Sequence, residues 1–222
     1  QALGADKVYG VLMPSKFTSH THIQNGLKIA EKLKIKHNNY KNVQHHFQET
    51  VHLLEKMGEK SSDKEIQKLK TGNIHARIRM IILRDTAKNH NGLVVGTTNK
   101  TEMKLGYATM AGDGLGGIDI EPIAGLYKTT ERKIARYMGI PEKIIDQTPT
   151  AGLWEGQTDE AEIGLLYKFI DQVLLGLDLG CSDGEILKST NSLEITQEKI
   201  NLSKKLMTQN QFKNELPPAP VV

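Results

Sequence analysis

The stretch LVVGTTNKTE, residues 93–102, decides the fold class. Its first three residues form a short apolar run typical of a buried strand, and a polar segment follows them directly. In open parallel sheets, ligands bind beyond the carboxyl ends of the strands, so this order predicts a binding loop after a strand. A simpler interpretation is that Thr98 or Asn99 caps a helix that runs to Leu105, and spacing alone favours the cap.

Helical and strand patterns alternate on both sides of this stretch. The predicted strands are residues 93–95, residues 8–13 and a weaker one within 35–43. The predicted helices are 23–33, 43–57, 73–90, 129–138, 159–175 and 196–210. Residues 61–63 predict a further helix start, and Asp159 with Glu162 predicts a capping box for helix 159–175. The alternation predicts an α/β fold with a parallel sheet and helices on both faces.

Composition excludes several classes of function. The formal net charge is +3, from 29 basic and 26 acidic residues, which is too even to predict nucleic-acid binding or an anionic membrane partner. No apolar run approaches the roughly 20 residues that cross a bilayer. The single cysteine, Cys181, excludes an internal disulfide and indicates a reducing compartment. These features predict a cytoplasmic protein without a membrane or nucleic-acid partner.

Three local patterns carry no strong functional signal. Gly112, Gly114 and Gly117 fit GxGxxG, but Pro122 prevents the helix that a dinucleotide fingerprint requires. Segment 106–118 is therefore predicted to be a mobile loop that can act as a lid. The eight histidines lack zinc-like spacing, and Cys181 has no evident catalytic partner.

Six segments in order carry a specific resemblance. They are GNIHARIRM at 72–80, GTTNKTE at 96–102, LGYATMAGDG at 105–114, DIEPI at 119–123, LYKT at 126–129, and PTAGLW at 149–154 with GQTDE at 156–160. Together they resemble the ammonia-dependent NAD synthetase family, closely over residues 72–160 and more loosely elsewhere.

The resemblance implies a fold, a reaction and partners. The implied fold is Rossmann-like: an adenine-nucleotide α-hydrolase-like three-layer sandwich with a central parallel sheet. The implied reaction joins ammonia to the nicotinate carboxylate of deamido-NAD, uses ATP with Mg²⁺, passes through an adenylate, and releases AMP and pyrophosphate. A homodimer is implied, with the helix at 74–90 or that at 159–175 as the candidate contact. The expected nitrogen donor is free ammonia, or ammonia from a separate protein, because no glutaminase domain is evident.

The resemblance also assigns roles to individual residues. It implies that ATP is bound by Thr97, Lys128 and Thr150. It implies that deamido-NAD is bound by Arg77, Asp119 and Lys213, with Asp119 also the candidate catalytic residue. The implied magnesium ligand is Glu102. Arg77 and Arg79 lie two positions apart on a helix, so they are expected to point to different sides.

The sequence departs from the family pattern at three places. The phosphate loop Ser-Gly-Gly-Xaa-Asp-Ser does not occur in residues 1–222. Residues 1–4 resemble the end of a helix before a strand. We therefore expect residues 1–222 to be a single NAD synthetase domain that lacks its N-terminal strand, phosphate loop and helix.

The other two departures are single residues of the implied deamido-NAD site. Met110 replaces a lysine and Phe212 replaces a histidine.

Two rival interpretations stay open, and the missing phosphate loop favours the first. One is a non-catalytic nucleotide-binding or dimerisation module. The other is a different adenylating synthetase domain that aminates another substrate.

Overall fold

A computed structural model describes residues 3–40, 43–58, 60–190 and 194–215 of the chain. Contacts divide the chain into a first unit, residues 1–90 with 150–158, and a second unit, residues 91–149 with 159–222. The predicted helix end at residues 1–4 lies partly outside the described residues.

The first unit begins with a parallel β-α-β arrangement. Its elements are β1 (Tyr9–Leu12), α1 (His20–Leu33), β2 (Lys36–Asn39), α2 (Val43–Lys56) and α3 (Lys64–Asn89). Strands β1 and β2 pair in parallel, with Tyr9 opposite Lys36. Ser19 caps α1 by accepting a hydrogen bond from the His22 amide at 3.2 Å. The strands predicted at 8–13 and within 35–43, and the helices at 23–33 and 43–57, are confirmed.

Helix α3 is longer than predicted. Asp63 caps it by accepting hydrogen bonds from the Glu65 and Ile66 amides, which confirms the predicted helix start. From there the helix continues for 26 residues, so the predicted beginning at Asn73 is wrong. Its inner face packs against Phe47 of α2, whose ring stacks on His75 at a centroid distance of 4.3 Å. Burial, with Arg79 and Lys16 nearby, lowers the pKa of His75 to about 4.

The second unit is mainly helical. Its helices are α4 (Lys100–Leu105), α5 (Lys128–Tyr137), α6 (Glu142–Ile145), α7 (Asp159–Ile163), α8 (Tyr167–Asp178), α9 (Asp183–Ser189) and α10 (Gln197–Asn210). Helices α4, α5 and α10 confirm predictions, whereas α6 and α9 were not predicted. A local signal for α9 exists, because Ser182 and Glu185 form a complete capping box.

The prediction of a buried strand at residues 93–95 is wrong about both the length of the paired segment and the burial of its residues. Pairing is limited to an isolated parallel bridge between Val95 and Ile120. Val94 is buried, whereas Leu93 and Val95 are 66% and 51% exposed. Alternate burial is typical of a segment covered on one face, and apolar composition alone does not distinguish it from a strand buried on both faces.

The predicted helix 159–175 is two helices, because Gly164 breaks it. Gly164 has a φ of 81°, a left-handed conformation that ends α7. The predicted capping box is also wrong. Asp159 lies inside α7 and accepts hydrogen bonds from the Tyr107 and Tyr167 hydroxyls, at 3.3 and 3.1 Å. Glu162 accepts a hydrogen bond from the Tyr107 hydroxyl at 2.7 Å.

Helix α8 holds the core of the second unit. Tyr167, Ile170 and Leu174 are each at most 1% exposed and form one cluster with Leu105 of α4. Burying each of these side chains contributes roughly 1.5–3 kcal/mol. At the C-terminal end of α8, Asp178 contacts three partners, which are Lys100, Lys104 and the Tyr127 hydroxyl. Helix α8 therefore fixes the positions of both α4 and the start of α5.

No described helix is long and apolar enough to span a membrane.

Candidate active site

The polar segment after residue 95 forms a helix cap, and that cap orients Glu102. Asn99 is the N-cap of α4, and its side chain accepts a hydrogen bond from the Glu102 amide. In return, Glu102 Oε2 accepts one from the Asn99 amide at 3.0 Å. The cap favoured from spacing is thus confirmed, and it leaves Glu102 Oε1 directed to another partner.

That partner is Lys128 at the start of α5. Its ammonium lies 3.3 Å from Glu102 Oε1 and 3.4 Å from Glu131 Oε2. The Lys128 and Glu102 side chains are only 16% and 14% exposed, so water screens their attraction weakly. Glu131 also accepts a hydrogen bond from the Asn99 side-chain amide at 2.9 Å. We call Asn99, Glu102, Lys128 and Glu131 the Glu102 cluster.

Burial and the charges of the neighbouring residues together shift the pKa values of Glu102 and Lys128. Burial raises the pKa of Glu102 despite the nearby Lys128, and the negative charge of Glu131 adds to this effect. Burial acts to lower the pKa of Lys128, but Glu102 and Glu131 outweigh it and raise that pKa. The Glu102 cluster thus places two carboxylates around one ammonium.

The Glu102 cluster fits a magnesium ion only when further oxygen ligands are present. Among the described residues, no group of three His, Cys, Asp or Glu side chains could hold a metal ion. Glu102 retains acceptor lone pairs beyond its two hydrogen bonds. Magnesium commonly uses one or two carboxylates together with substrate phosphates and water. The donor set of the cluster is therefore adequate for a magnesium ion that arrives with a nucleotide.

A second feature is a cleft of about 230 Å³ beside α4. Asp119 and Lys213 line it together with Thr98, Met110 and Glu121. We call it the Lys213 cleft. It brings together Asp119 and Lys213, two of the three residues predicted to bind deamido-NAD. It is also lined by Met110, which replaces a lysine of the family pattern.

Asp119 and Lys213 both form hydrogen bonds with backbone groups. Asp119 Oδ2 accepts a hydrogen bond from the Val94 amide at 2.7 Å. The Lys213 ammonium donates to the Gly106 carbonyl at 2.7 Å and to the Ala108 carbonyl at 3.4 Å. Burial lowers the pKa of Lys213. Phe212, which replaces the expected histidine, is 58% exposed.

The glycine-rich segment that borders the cleft is a series of hydrogen-bonded turns. The side chain of Asp113 accepts from the Thr109 amide at 2.8 Å, and its carbonyl accepts from the Thr98 hydroxyl at 3.0 Å. A Cβ on Gly117 would lie 1.8 Å from the Gly112 carbonyl oxygen, so only glycine permits this approach. The predicted mobility of this segment stays a prediction.

The other predicted residues lie elsewhere. Thr97 is exposed in the second unit, between the Val95 bridge and α4. Arg77 and Thr150 belong to the first unit. Arg77 is exposed on α3, whereas Arg79 donates to the Met13 carbonyl at 3.3 Å, so the two arginines point to different sides as predicted.

Comparison with known proteins identifies the family. The family model described as NAD synthase matches residues 1–217. The chain belongs to the NAD synthase family. It is 40% identical over its whole length to the NH(3)-dependent NAD(+) synthetase of Methanocaldococcus jannaschii and covers 82% of that relative. It is 36% identical to the corresponding synthetase of Pyrococcus furiosus, again over its whole length, and covers 80% of that protein.

Solved structures of the NAD synthase family agree. The structure of NMN synthetase from Francisella tularensis has a TM-score of 0.78 and 28% identity, over 96% of this chain and 78% of that one. The NH3-dependent NAD synthetase from Campylobacter jejuni has a TM-score of 0.72 and 26% identity, with the same coverage of both chains. The predicted Rossmann-like α/β fold is therefore confirmed.

Sequence reasoning missed two residues that support the candidate site. Glu131 shares Lys128 with Glu102, and its spacing of three from Lys128 on one helix was an available signal. Asp171 is 5% exposed within the apolar face of α8. A lone carboxylate on a buried helix face was its only signal.

Proposed function

We propose that this protein makes NAD from deamido-NAD, ammonia and ATP. The nicotinate carboxylate attacks the α-phosphate of ATP, and pyrophosphate leaves. Ammonia then displaces AMP from the adenylate and leaves the amide. The observation that carries the proposal is the largely buried Glu102–Lys128 pair, in a chain whose family match spans residues 1–217.

The Glu102 cluster is suited to the ATP side of this reaction. We assign Lys128 to a phosphate oxygen, together with Thr97 and Thr150, and Glu102 to magnesium. Without nucleotide, the ammonium and the carboxylate neutralise each other at 3.3 Å. Nucleotide phosphates are a competing partner for the lysine, which frees a Glu102 oxygen for the cation. Magnesium, when bound, supplies positive charge against the phosphate oxygens as pyrophosphate leaves.

The Lys213 cleft is suited to the deamido-NAD side. We assign Asp119 and Lys213 to this substrate, with Arg77 as a further contact. Asp119 accepts a hydrogen bond from the Val94 amide at 2.7 Å, which fixes its carboxylate on the wall of the Lys213 cleft. Asp119 is also our candidate for the catalytic residue, because a carboxylate beside the reacting amide centre can accept a proton from the attacking ammonia.

A homodimer and a cytoplasmic location belong to the same proposal. Helix α3 exposes Ile66, Leu69 and Ile81, at 51%, 48% and 68%. In contrast, the apolar face of α8 lies in the core of its own unit. Leu175 of α8 is 46% exposed, so of the two helices considered from the sequence α3 offers more large apolar side chains to a second copy.

The test is formation of AMP and NAD from ATP, deamido-NAD, ammonium and Mg²⁺. It is run on residues 1–222 and on the same chain preceded by the Ser-Gly-Gly-Xaa-Asp-Ser segment of a relative. We expect one AMP for each NAD, and no NAD when glutamine replaces ammonium. Nicotinate mononucleotide replaces deamido-NAD in a parallel assay, because one structural neighbour is an NMN synthetase.

Each rival predicts a different result. A strong preference for the mononucleotide would assign the protein to NMN formation. AMP formation with xanthosine monophosphate but not with deamido-NAD would favour another adenylating synthetase. A folded protein that binds ATP but forms no AMP, with or without the added segment, would favour the binding module.

A further inference from the structure

The first turn of α5 is capped by residues of other helices. Its N-cap residue, Tyr127, makes no side-chain capping hydrogen bond. The Thr129 amide donates instead to Asp171 Oδ2 of α8, at 2.7 Å. The Lys128 amide donates to the Thr101 hydroxyl of α4, at 3.0 Å. Two of the four amides that a helix start leaves unpaired are thus bound from outside the helix.

Asp171 joins these two contacts into one arrangement. Its Oδ1 accepts a hydrogen bond from the Thr101 hydroxyl at 2.5 Å, which leaves the Thr101 oxygen free to accept from Lys128. Asp171 and Thr101 are 5% and 0% exposed, so water does not replace these bonds. A carboxylate at a helix N-terminus is also favoured by the helix dipole.

These hydrogen bonds connect Asp171 to Lys128 of the Glu102 cluster. The Lys128 amide is held through Thr101, and its ammonium pairs with Glu102 and Glu131. Glu102 in turn is fixed by the capping box of α4, the helix that carries Thr101. A single buried carboxylate on α8 therefore controls the relative position of α4 and α5 at the Glu102 cluster.

We propose that Asp171 is a positioning residue for nucleotide binding, which acts by capping α5 in place of Tyr127 and so places the Lys128 ammonium. This inference rests on the proposed use of ATP, because only then does the position of Lys128 control a substrate. Asp171 itself contacts Thr101 and the Thr129 amide.

The test compares three variants of the chain that is active in the assay above. Asp171→Ala removes both acceptors. Asp171→Asn can keep the geometry, because its amide oxygen accepts from Thr129 while its NH₂ donates to Thr101. Val173→Ala is the control: it creates a core cavity on the same helix, in the cluster of Ile186 and Ile200.

We expect Asp171→Ala to raise the ATP concentration for half-maximal rate by at least ~10-fold, since small misplacements of binding groups are costly. The half-saturating deamido-NAD concentration should stay unchanged. Asp171→Asn should recover most of the loss. Val173→Ala should lower the Tm comparably without changing either concentration. Equal effects of Asp171→Ala on both substrates, or an equal ATP effect in Val173→Ala, would overturn the proposal.

Hydrogen exchange separates this proposal from the proposed function. The Lys128 and Thr129 amides should lose protection in Asp171→Ala but keep it in Val173→Ala. If the unsubstituted protein forms no NAD, the proposed function fails. The capping role is then decided by exchange alone: retained protection of both amides in Asp171→Ala would overturn it.

Discussion

Replacing Glu102 with glutamine separates its role in binding from its role in stability. At 3.3 Å the Glu102–Lys128 attraction is worth about 5 kcal/mol in an effective dielectric of about 20. Desolvating a buried carboxylate costs several kcal/mol, which offsets most of this attraction. In the variant, Lys128 still forms an ion pair with Glu131 at 3.4 Å, so its ammonium is not left without a counter-charge. We therefore expect Glu102→Gln to change the free energy of unfolding by no more than about 1 kcal/mol at pH 7.

The sign of the pH dependence gives a second check on the same variant. Burial raises the pKa of Glu102 in the folded protein, so the folded state binds its proton more tightly than the unfolded state. Its contribution to stability is present below its ordinary pKa and is lost as pH rises through the higher folded value. The glutamine variant lacks this dependence, so its stability relative to the unsubstituted protein should increase between the ordinary and the raised pKa.

Activity should respond far more strongly than stability. Loss of one carboxylate ligand from magnesium should lower the rate on the order of 100-fold, about 3 kcal/mol. The assays are urea unfolding followed by circular dichroism, and AMP formation across a magnesium titration. Full activity of Glu102→Gln at saturating magnesium would refute the role given to this carboxylate. A loss of several kcal/mol in stability would refute the offset between pairing and desolvation.

Three further predictions concern other parts of the molecule. Asp119→Asn keeps an oxygen that can accept from the Val94 amide, so the local structure should be retained. In steady-state kinetics the half-saturating deamido-NAD concentration should rise ~10-fold, while the half-saturating ATP concentration should not change. A change in the ATP concentration alone would contradict the role given to Asp119. Partial burial would raise the pKa of Asp178, but its two lysines and tyrosine lower it to about 2, so its stabilisation is present above pH 4 and lost toward pH 2. Urea unfolding should show Asp178→Asn less stable by about 1–2 kcal/mol at pH 7, and this difference should shrink as pH falls through about 2. In analytical ultracentrifugation, Leu69→Arg on α3 should convert a dimer to monomers. The control is Tyr137→Arg on α5, where the side chain is 93% exposed, and this variant should stay dimeric. A dimer that persists in Leu69→Arg would exclude α3 as the contact.

Local sequence determined most helix boundaries and the family. Ser19, Asp63 and Asn99 each cap a helix through amides two or three residues away, so the signal and its partner lie in one short window. The ordered motifs between residues 72 and 160 likewise specified the family, because several short patterns in a fixed order rarely coincide by chance.

The same local rules failed where a distant partner competed. Asp159 and Glu162 fit a capping box, yet Tyr107, more than 50 residues earlier in the chain, binds both carboxylates. Gly164 permits the left-handed turn that splits the predicted helix, but glycine within a helical pattern does not by itself predict a break.

The arrangement of the candidate site was decided by tertiary structure. Glu102 and Lys128 are 26 positions apart, and Lys213 meets the Gly106 carbonyl across 107 positions. The sequence determined that a carboxylate, a lysine and a helix cap are present and which family they resemble. Only packing of α4, α5 and α8 decided which charges meet, because Asp171 can cap α5 only after α8 is buried against both helices. Hydrogen bonds of this kind depend on distances that folding creates, and residue order does not encode them locally.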